Sequence, residues 1–178
     1  WIFCNEKRKN LPVREIIRRS NVDVIVTTDD PVDSLSYHKL LREDSSFKTK
    51  VLPAFRPDKA VNIEKDGFGE YMAALGKAAG RSIGSMEDLY EALSSRMDHF
   101  AAMGCRARDH GVNEVAFAPA SREELDSILR RRLAGEAISV EDCGKYSSAV
   151  LLFLGREYAR RGWVMEVHYG TSRNTNSR

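Results

Sequence analysis

Four short strand candidates, three of them rich in β-branched or apolar residues and the third in the chain poor in strand propensity, each run directly into residues that carry chemistry. Residues 22–28 lead into Asp29-Asp30-Pro31, and residues 50–55 into Arg56-Pro57-Asp58-Lys59. Residues 103–107 lead into Arg108-Asp109-His110-Gly111, and residues 163–168 finish on His168-Tyr169-Gly170. In a parallel α/β barrel the loops that follow the strands meet on one face, and that face carries the active site. Strands ending in these residues would ring one mouth with carboxylates, a guanidinium and imidazoles. Such a set suits an anionic, hydroxyl-rich substrate, and a metal ion could join it.

Each residue has a plain reading beside the chemical one. Asp29-Asp30-Pro31 is also an ordinary turn and helix-start signal. Arg56 is either a structural ion-pair partner or a planar fork for a substrate carboxylate. Asp109 would carry protons or accept hydrogen bonds from substrate hydroxyls, and His110 beside Gly111 reads equally well as a loop residue. His168, at the end of what reads as a buried strand, is the sharpest candidate, because neutral imidazole serves both as an acid–base group and as a metal ligand. His38 and His99 fall inside helical segments and read as packing or surface residues. Glu166 alternates with the apolar residues of its segment and could face either side.

The elements that must position these residues alternate between strand-like and helix-like patterns, as in an α/β fold with parallel strands. An amphipathic stretch (Val13, Ile16, Ile17) precedes the first strand. A helix is expected over 33–43 with Asp33 as N-cap and Leu35, Leu40 and Leu41 apolar. Pro53 lacks a ladder N–H and argues against interior pairing of the second strand. A long helical region follows, in which Phe68, Tyr71, Met72 and Leu75 keep one helical period and Leu89, Leu93, Met97 and Phe100 another. Residues 80–84 break it, and Ser85 with Asp88 forms a capping-box start. Residues 112–117 are a further extended candidate. Ser121 with Glu124 opens another helix, and residues 139–160 form the longest, ending at Gly162 with Arg160 and Arg161 at its negative end.

Composition narrows the field further. The 178 residues are 42% hydrophobic and 30% charged, which is the balance of a folded globular chain. A formal net charge of +2 is too small to argue for nucleic acid, and the Lys7-Arg8-Lys9 and Arg130-Arg131-Arg132 clusters read as solvated helical surface. Cys4, Cys105 and Cys143 are far apart, without the spacing of a structural zinc site, and read as thiols in a reducing compartment. No apolar run reaches the roughly 18 residues of a membrane span, and no signal peptide is evident, although the chain opens on Trp1.

The same strand ends carry a family resemblance. Thr27-Thr28-Asp29-Asp30-Pro31, then 51–59 (Val-Leu-Pro-Ala-Phe-Arg-Pro-Asp-Lys), then Gly104-Cys105-Arg106 with Asp109-His110-Gly111, then Gly162-Trp163-Val164-Met165 with His168-Tyr169-Gly170 and Arg173-Asn174-x-Asn176, resemble uronate (glucuronate) isomerases in order and approximate spacing. The resemblance covers nearly the whole chain, and its specificity lies in the joint occurrence of four motifs. It implies the amidohydrolase superfamily and part of a distorted (β/α)8 TIM barrel with an extra helical insertion. Residues 1–178 would be the central portion of a single metal-dependent barrel domain, lacking its N-terminal and C-terminal parts. The implied activity is interconversion of D-glucuronate with D-fructuronate and of D-galacturonate with D-tagaturonate, in cytoplasmic hexuronate catabolism. A divalent metal, commonly zinc, goes with the site, and the full-length enzyme is expected to be a homo-oligomer with no nucleic-acid or membrane partner.

By that resemblance Arg56 and the weaker candidate Arg173 bind substrate, and Asp109 and His168 are catalytic. His168 is also the metal residue, as a direct ligand or one step removed. The family's His-x-His pair and terminal Asp are not in this sequence, and the resemblance places them before Trp1 and after Arg178. The chain alone is therefore expected to bind metal poorly, to lack useful activity, and, with unpaired sheet edges, to aggregate or assemble. Glu166 stands where Gln is expected, and Thr171-Ser172 where Ala-Leu is more usual. Two alternatives stand beside this reading. One is a metal-dependent hydrolase of the same superfamily, which barrel geometry alone does not exclude. The other is a non-catalytic barrel remnant.

Overall fold

The computed structural model describes Glu6, residues 11–112 and residues 117–170. α1 (Val13–Arg19) holds Glu15 in its first turn, where Arg18 and Arg19 both bond to it. None of its residues is buried; of the apolar stripe, Val13 and Ile16 are exposed and Ile17 is half-buried. β1 (Val24–Asp29) follows, then α2 (Ser36–Glu43), then β2 (Lys50–Phe55). The two strands pair in parallel, from Val24 opposite Lys50 to Asp29 opposite Phe55. Pro53 stands within this ladder, opposite Thr27. Since β2 bonds to a strand on one side only among the described residues, it holds the edge position that a proline tolerates.

α2 starts later than the sequence suggests, and Asp33 does not cap it. Leu35 takes the left-handed conformation (φ 55°) just before the helix, while Asp33 Oδ1 accepts a hydrogen bond from Leu35 N at 2.6 Å. A left-handed leucine costs about 1–2 kcal/mol. Full burial of its side chain, worth roughly 2–3 kcal/mol, offsets that. Arg96 locks the same turn by donating to Pro31 O and Asp33 O, both at 2.7 Å.

Beyond β2 come α3 (Asp58–Val61), α4 (Phe68–Ala79) and α5 (Met86–Ala102). The break between α4 and α5 falls at the glycines. Gly76 is needed for close approach, since a Cβ there would lie 2.5 Å from the Arg81 carbonyl oxygen. At the start of α5 both bonds of the capping box form between Ser85 and Asp88. Phe55, from β2, meets Phe100 of α5 edge to face at 5.1 Å in the centre of the core.

β3 (Ala107–Gly111) differs most from expectation. The segment 103–106 is the turn that ends α5, and the strand is built from Arg108, Asp109 and His110 themselves. Arg108 makes this possible. It is almost completely buried, lying 3.7 Å from the ring centroid of Trp163 and 4.1 Å from that of Tyr158, and it donates to Val164 O at 2.9 Å. An arginine so placed packs as an aromatic neighbour would. The extended candidate at 112–117 lies largely outside the described residues.

α6 (Arg122–Leu133) and α7 (Val140–Arg161) open on Ser121 and Ser139, whose side chains accept from Glu124 N and Asp142 N. Gly162, left-handed at φ 64°, ends α7 and turns the chain into β4 (Val164–His168), parallel to β3. Tyr146 of α7 donates to Ala60 O at 2.9 Å and ties this helix to α3. The basic cluster on α6 is not simple solvated surface. Arg132 donates to Ile63 O and Lys65 O, and Arg131 pairs with Asp142. The result is an α/β arrangement of two parallel strand pairs, β1-β2 and β3-β4, backed by helices.

Candidate active site

The strand ends do converge. Arg56, immediately after β2, donates from Nε to Asp58 Oδ2 at 3.0 Å, and its Nη1 lies 3.4 Å from Asp109 Oδ2. The same Asp109 oxygen is 3.8 Å from His168 Nε2, and His168 Nε2 is 3.6 Å from Glu166 Oε1. Parallel register explains the grouping. Asp109 stands opposite Glu166 and Gly111 opposite His168, so alternation along both strands puts these side chains on one face. That settles the side taken by Glu166.

The opposite face of β3 carries Arg108 and His110 toward α7. His110 is therefore no loop residue. Its side chain is 1% exposed and lies 5.6 Å from the Tyr158 ring, with no hydrogen bond to either ring nitrogen. Burial pushes its pKa down to about 4. His168 departs from expectation in the other direction. β4 is exposed along its length and the His168 side chain is 46% exposed, because no described element covers the face it shares with Glu166.

At the end of β1 the two aspartates separate. Asp29 turns toward α2, where the Thr27 hydroxyl donates to Asp29 Oδ2 at 2.6 Å and lies 2.8 Å from His38 Nε2. His38 is thus a buried, bonded residue of the α2 packing, as its helical position suggested. Asp30 faces the mouth and accepts from Val32 N at 3.1 Å and from the Tyr71 hydroxyl at 2.9 Å, with Lys59 Nζ 3.1 Å away. Burial, then the Asp30 charge, raises the Tyr71 pKa and keeps the phenol a neutral donor. The Asp29-Asp30-Pro31 turn is therefore formed, and of its two aspartates Asp30 alone stands beside Tyr71 and Lys59.

Asp58, Lys59 and Tyr71 are mouth residues to which sequence reading assigned no role. Tyr71 reads as a core position by its helical period, and it is core except for its hydroxyl. The mouth sets four carboxyl groups (Asp30, Asp58, Asp109, Glu166) against two cations (Arg56, Lys59). Arg173 lies outside the described residues. Among the described residues no group of three or more His, Cys, Asp and Glu is placed to hold a metal ion.

The glucuronate isomerase family model matches residues 1–178. The chain belongs to the glucuronate isomerase family. The solved uronate isomerase of Thermotoga maritima is similar over 93% of this chain, with 27% identity and a TM-score of 0.87. The glucuronate isomerase of Caulobacter crescentus matches over 92%, with 26% identity and a TM-score of 0.82. This glucuronate isomerase family chain spans 37% and 34% of those two structures, about a third of their length. No helix among its described residues is long and apolar enough to cross a membrane.

Proposed function

We propose that the chain is the central portion of a single distorted (β/α)8 barrel domain, and that the whole protein is a uronate isomerase. The reading rests on one observation above the others, the meeting of Arg56, Asp109 and His168 from three strand ends, at 3.4 and 3.8 Å. Arg56 offers the guanidinium edge left free by Asp58 to the sugar-acid carboxylate, and Arg173 is proposed as a second substrate contact. Aldose–ketose interconversion removes a proton from C-2, delivers one to C-1, and passes through an enediolate. Asp109 carries that proton between the neighbouring carbons. His168, one contact from Asp109, exchanges a proton with the sugar oxygens, so that each carbon and oxygen ends the cycle with its proton count balanced. D-Glucuronate goes to D-fructuronate and D-galacturonate to D-tagaturonate.

A divalent metal, zinc in this reading, would polarise the substrate oxygens when bound. The described residues offer such an ion the His168 imidazole and no complete ligand set. His168 is proposed as one ligand or as the bonding partner of a ligand. The protein is further proposed to act in the cytoplasm as a homo-oligomer, on a small-molecule hexuronate, without nucleic-acid or membrane partners.

The test is turnover. The full-length protein incubated with D-glucuronate and a divalent metal should form D-fructuronate, while residues 1–178 alone should show no useful turnover and weak metal affinity. A folded, metal-loaded full-length protein that leaves both uronates unchanged would overturn the reading. Robust turnover by residues 1–178 would overturn the assignment of the missing groups to the rest of the barrel.

A further inference from the structure

We infer that Asp58 is a positioning residue that sets the guanidinium of Arg56 for carboxylate recognition; this rests on the isomerase reading above. Asp58 is the first residue of the short α3, and one of its oxygens serves two strand ends at once. Oδ2 accepts from Arg56 Nε at 3.0 Å and from Gly111 N, at the end of β3, at 3.3 Å. Oδ1 lies 3.8 Å from His110 Nδ1. Arg56 is thereby held along its Nε edge by a group that is itself fixed to the neighbouring strand. The bond to Asp58 also raises the Arg56 pKa.

The other acidic neighbour is more loosely placed. Asp109 Oδ2 stands 3.4 Å from Nη1, and no hydrogen bond joins the two side chains. The division of labour follows from these distances. Asp58 fixes the direction of the fork, and the Nη1 and Nη2 side is left to a planar, bidentate acceptor such as the carboxylate of a sugar acid. Without Asp58 the guanidinium could rotate about its terminal bonds and pair with Asp109 instead, closing the site to the substrate's carboxylate. Residue type matters as well, because an Asp two positions after the Arg it orients reaches back only across a turn, here made by Pro57.

The experiment compares the full-length protein with Asp58→Asn and Asp58→Ala, using D-glucuronate and its uncharged amide, D-glucuronamide, as binding probes alongside turnover of D-glucuronate. In the wild type, glucuronate should bind more tightly than the amide. Asp58→Ala should raise KM for glucuronate by about 30-fold, a size typical of losing one charge-assisted bond, while kcat changes by less than about threefold and amide binding is retained. Asp58→Asn keeps an acceptor oxygen and should recover most of the loss. A wild type that does not prefer the carboxylate would sink the role given to Arg56 itself. A wild type that does prefer it, with a preference unchanged in Asp58→Asn and Asp58→Ala, would overturn the inference about Asp58. So would a fall in melting temperature accompanied by a fall in kcat with KM unchanged, the pattern of a merely structural residue.

Discussion

Replacing Asp109 by Asn in the full-length protein is expected to lower kcat for D-glucuronate by about 10²–10⁴, the usual worth of a positioned proton carrier. Asn keeps the shape and an acceptor oxygen but cannot take a proton. The fold should barely register the change. Asp109 Oδ1 has no hydrogen-bond partner, and Oδ2 is 3.4 Å from Arg56 and 3.8 Å from His168, too far for bonds that hold a fold together. KM should also stay close to its original value, because Arg56 retains its tighter bond to Asp58. Turnover of Asp109→Asn within a few-fold of wild type would remove Asp109 from the chemistry. A large fall in melting temperature would recast it as a structural residue.

A second large effect concerns acid stability. His110 has its pKa lowered by burial, to about 4 from an ordinary value of 6.5, with Asp109 working the other way and Arg108 and Arg56 adding to the depression. The folded state therefore holds this imidazole neutral down to about pH 4, while the unfolded chain protonates it below 6.5. Between those values the unfolded state binds the extra proton, so stability falls as pH falls. The contribution is fully present above pH 6.5 and is lost progressively toward pH 4, reaching about 3 kcal/mol. Carboxylates with lowered pKa, such as Glu157 at about 2, lose their contributions at lower pH. His99, also lowered by burial, contributes in the same direction below its ordinary value of 6.5. Denaturant titrations of wild type and His110→Phe at pH 7 and pH 4.5 isolate the part due to His110. The Phe variant should be at least as stable at pH 7, since neither imidazole nitrogen has a partner to lose and the ring would still lie against Tyr158. It should lose much less between the two pH values. Equal losses in both proteins would show that His110 is not held neutral.

The parts of this architecture that were legible in the sequence are those set by local chemistry. β1 and β2, the Ser85–Asp88 capping box, and the Gly162 stop are written in short stretches whose propensities agree with their surroundings. β3 was not legible in the right place. Arg-Asp-His is a poor strand sequence by propensity, and it is extended because β4, more than fifty residues later, pairs with it and because Trp163 and Tyr158 enclose Arg108. Likewise β4 carries the apolar alternation of a covered strand, and what would cover it is not among the described residues. At the mouth, the residue types Arg56, Asp109 and His168 were readable as strand-end chemistry. The parts of Asp58, Lys59 and Tyr71 were not, since each depends on which distant element its side chain meets. Glu166 needed the register with Asp109 before its side could be known.

The division of the strands into two parallel pairs also bears on the order of events in folding. β1 and β2 join residues about 26 apart in the chain (Val24 with Lys50), whereas β3 and β4 join residues about 57 apart (Ala107 with Val164). The longer closure costs about 0.7 kcal/mol more in chain entropy, and it must also wait for α6 and α7 to be in place. Arg56 belongs to the early, local pair, and Asp109 and His168 belong to the late one. The contacts that make the site, Arg56 with Asp109 and Asp58 with Gly111, are those that bridge the two pairs. A nascent chain would thus carry Arg56 on a formed βαβ unit well before Asp109 and His168 reach it, and the meeting of these strand ends would report the closure of the second pair.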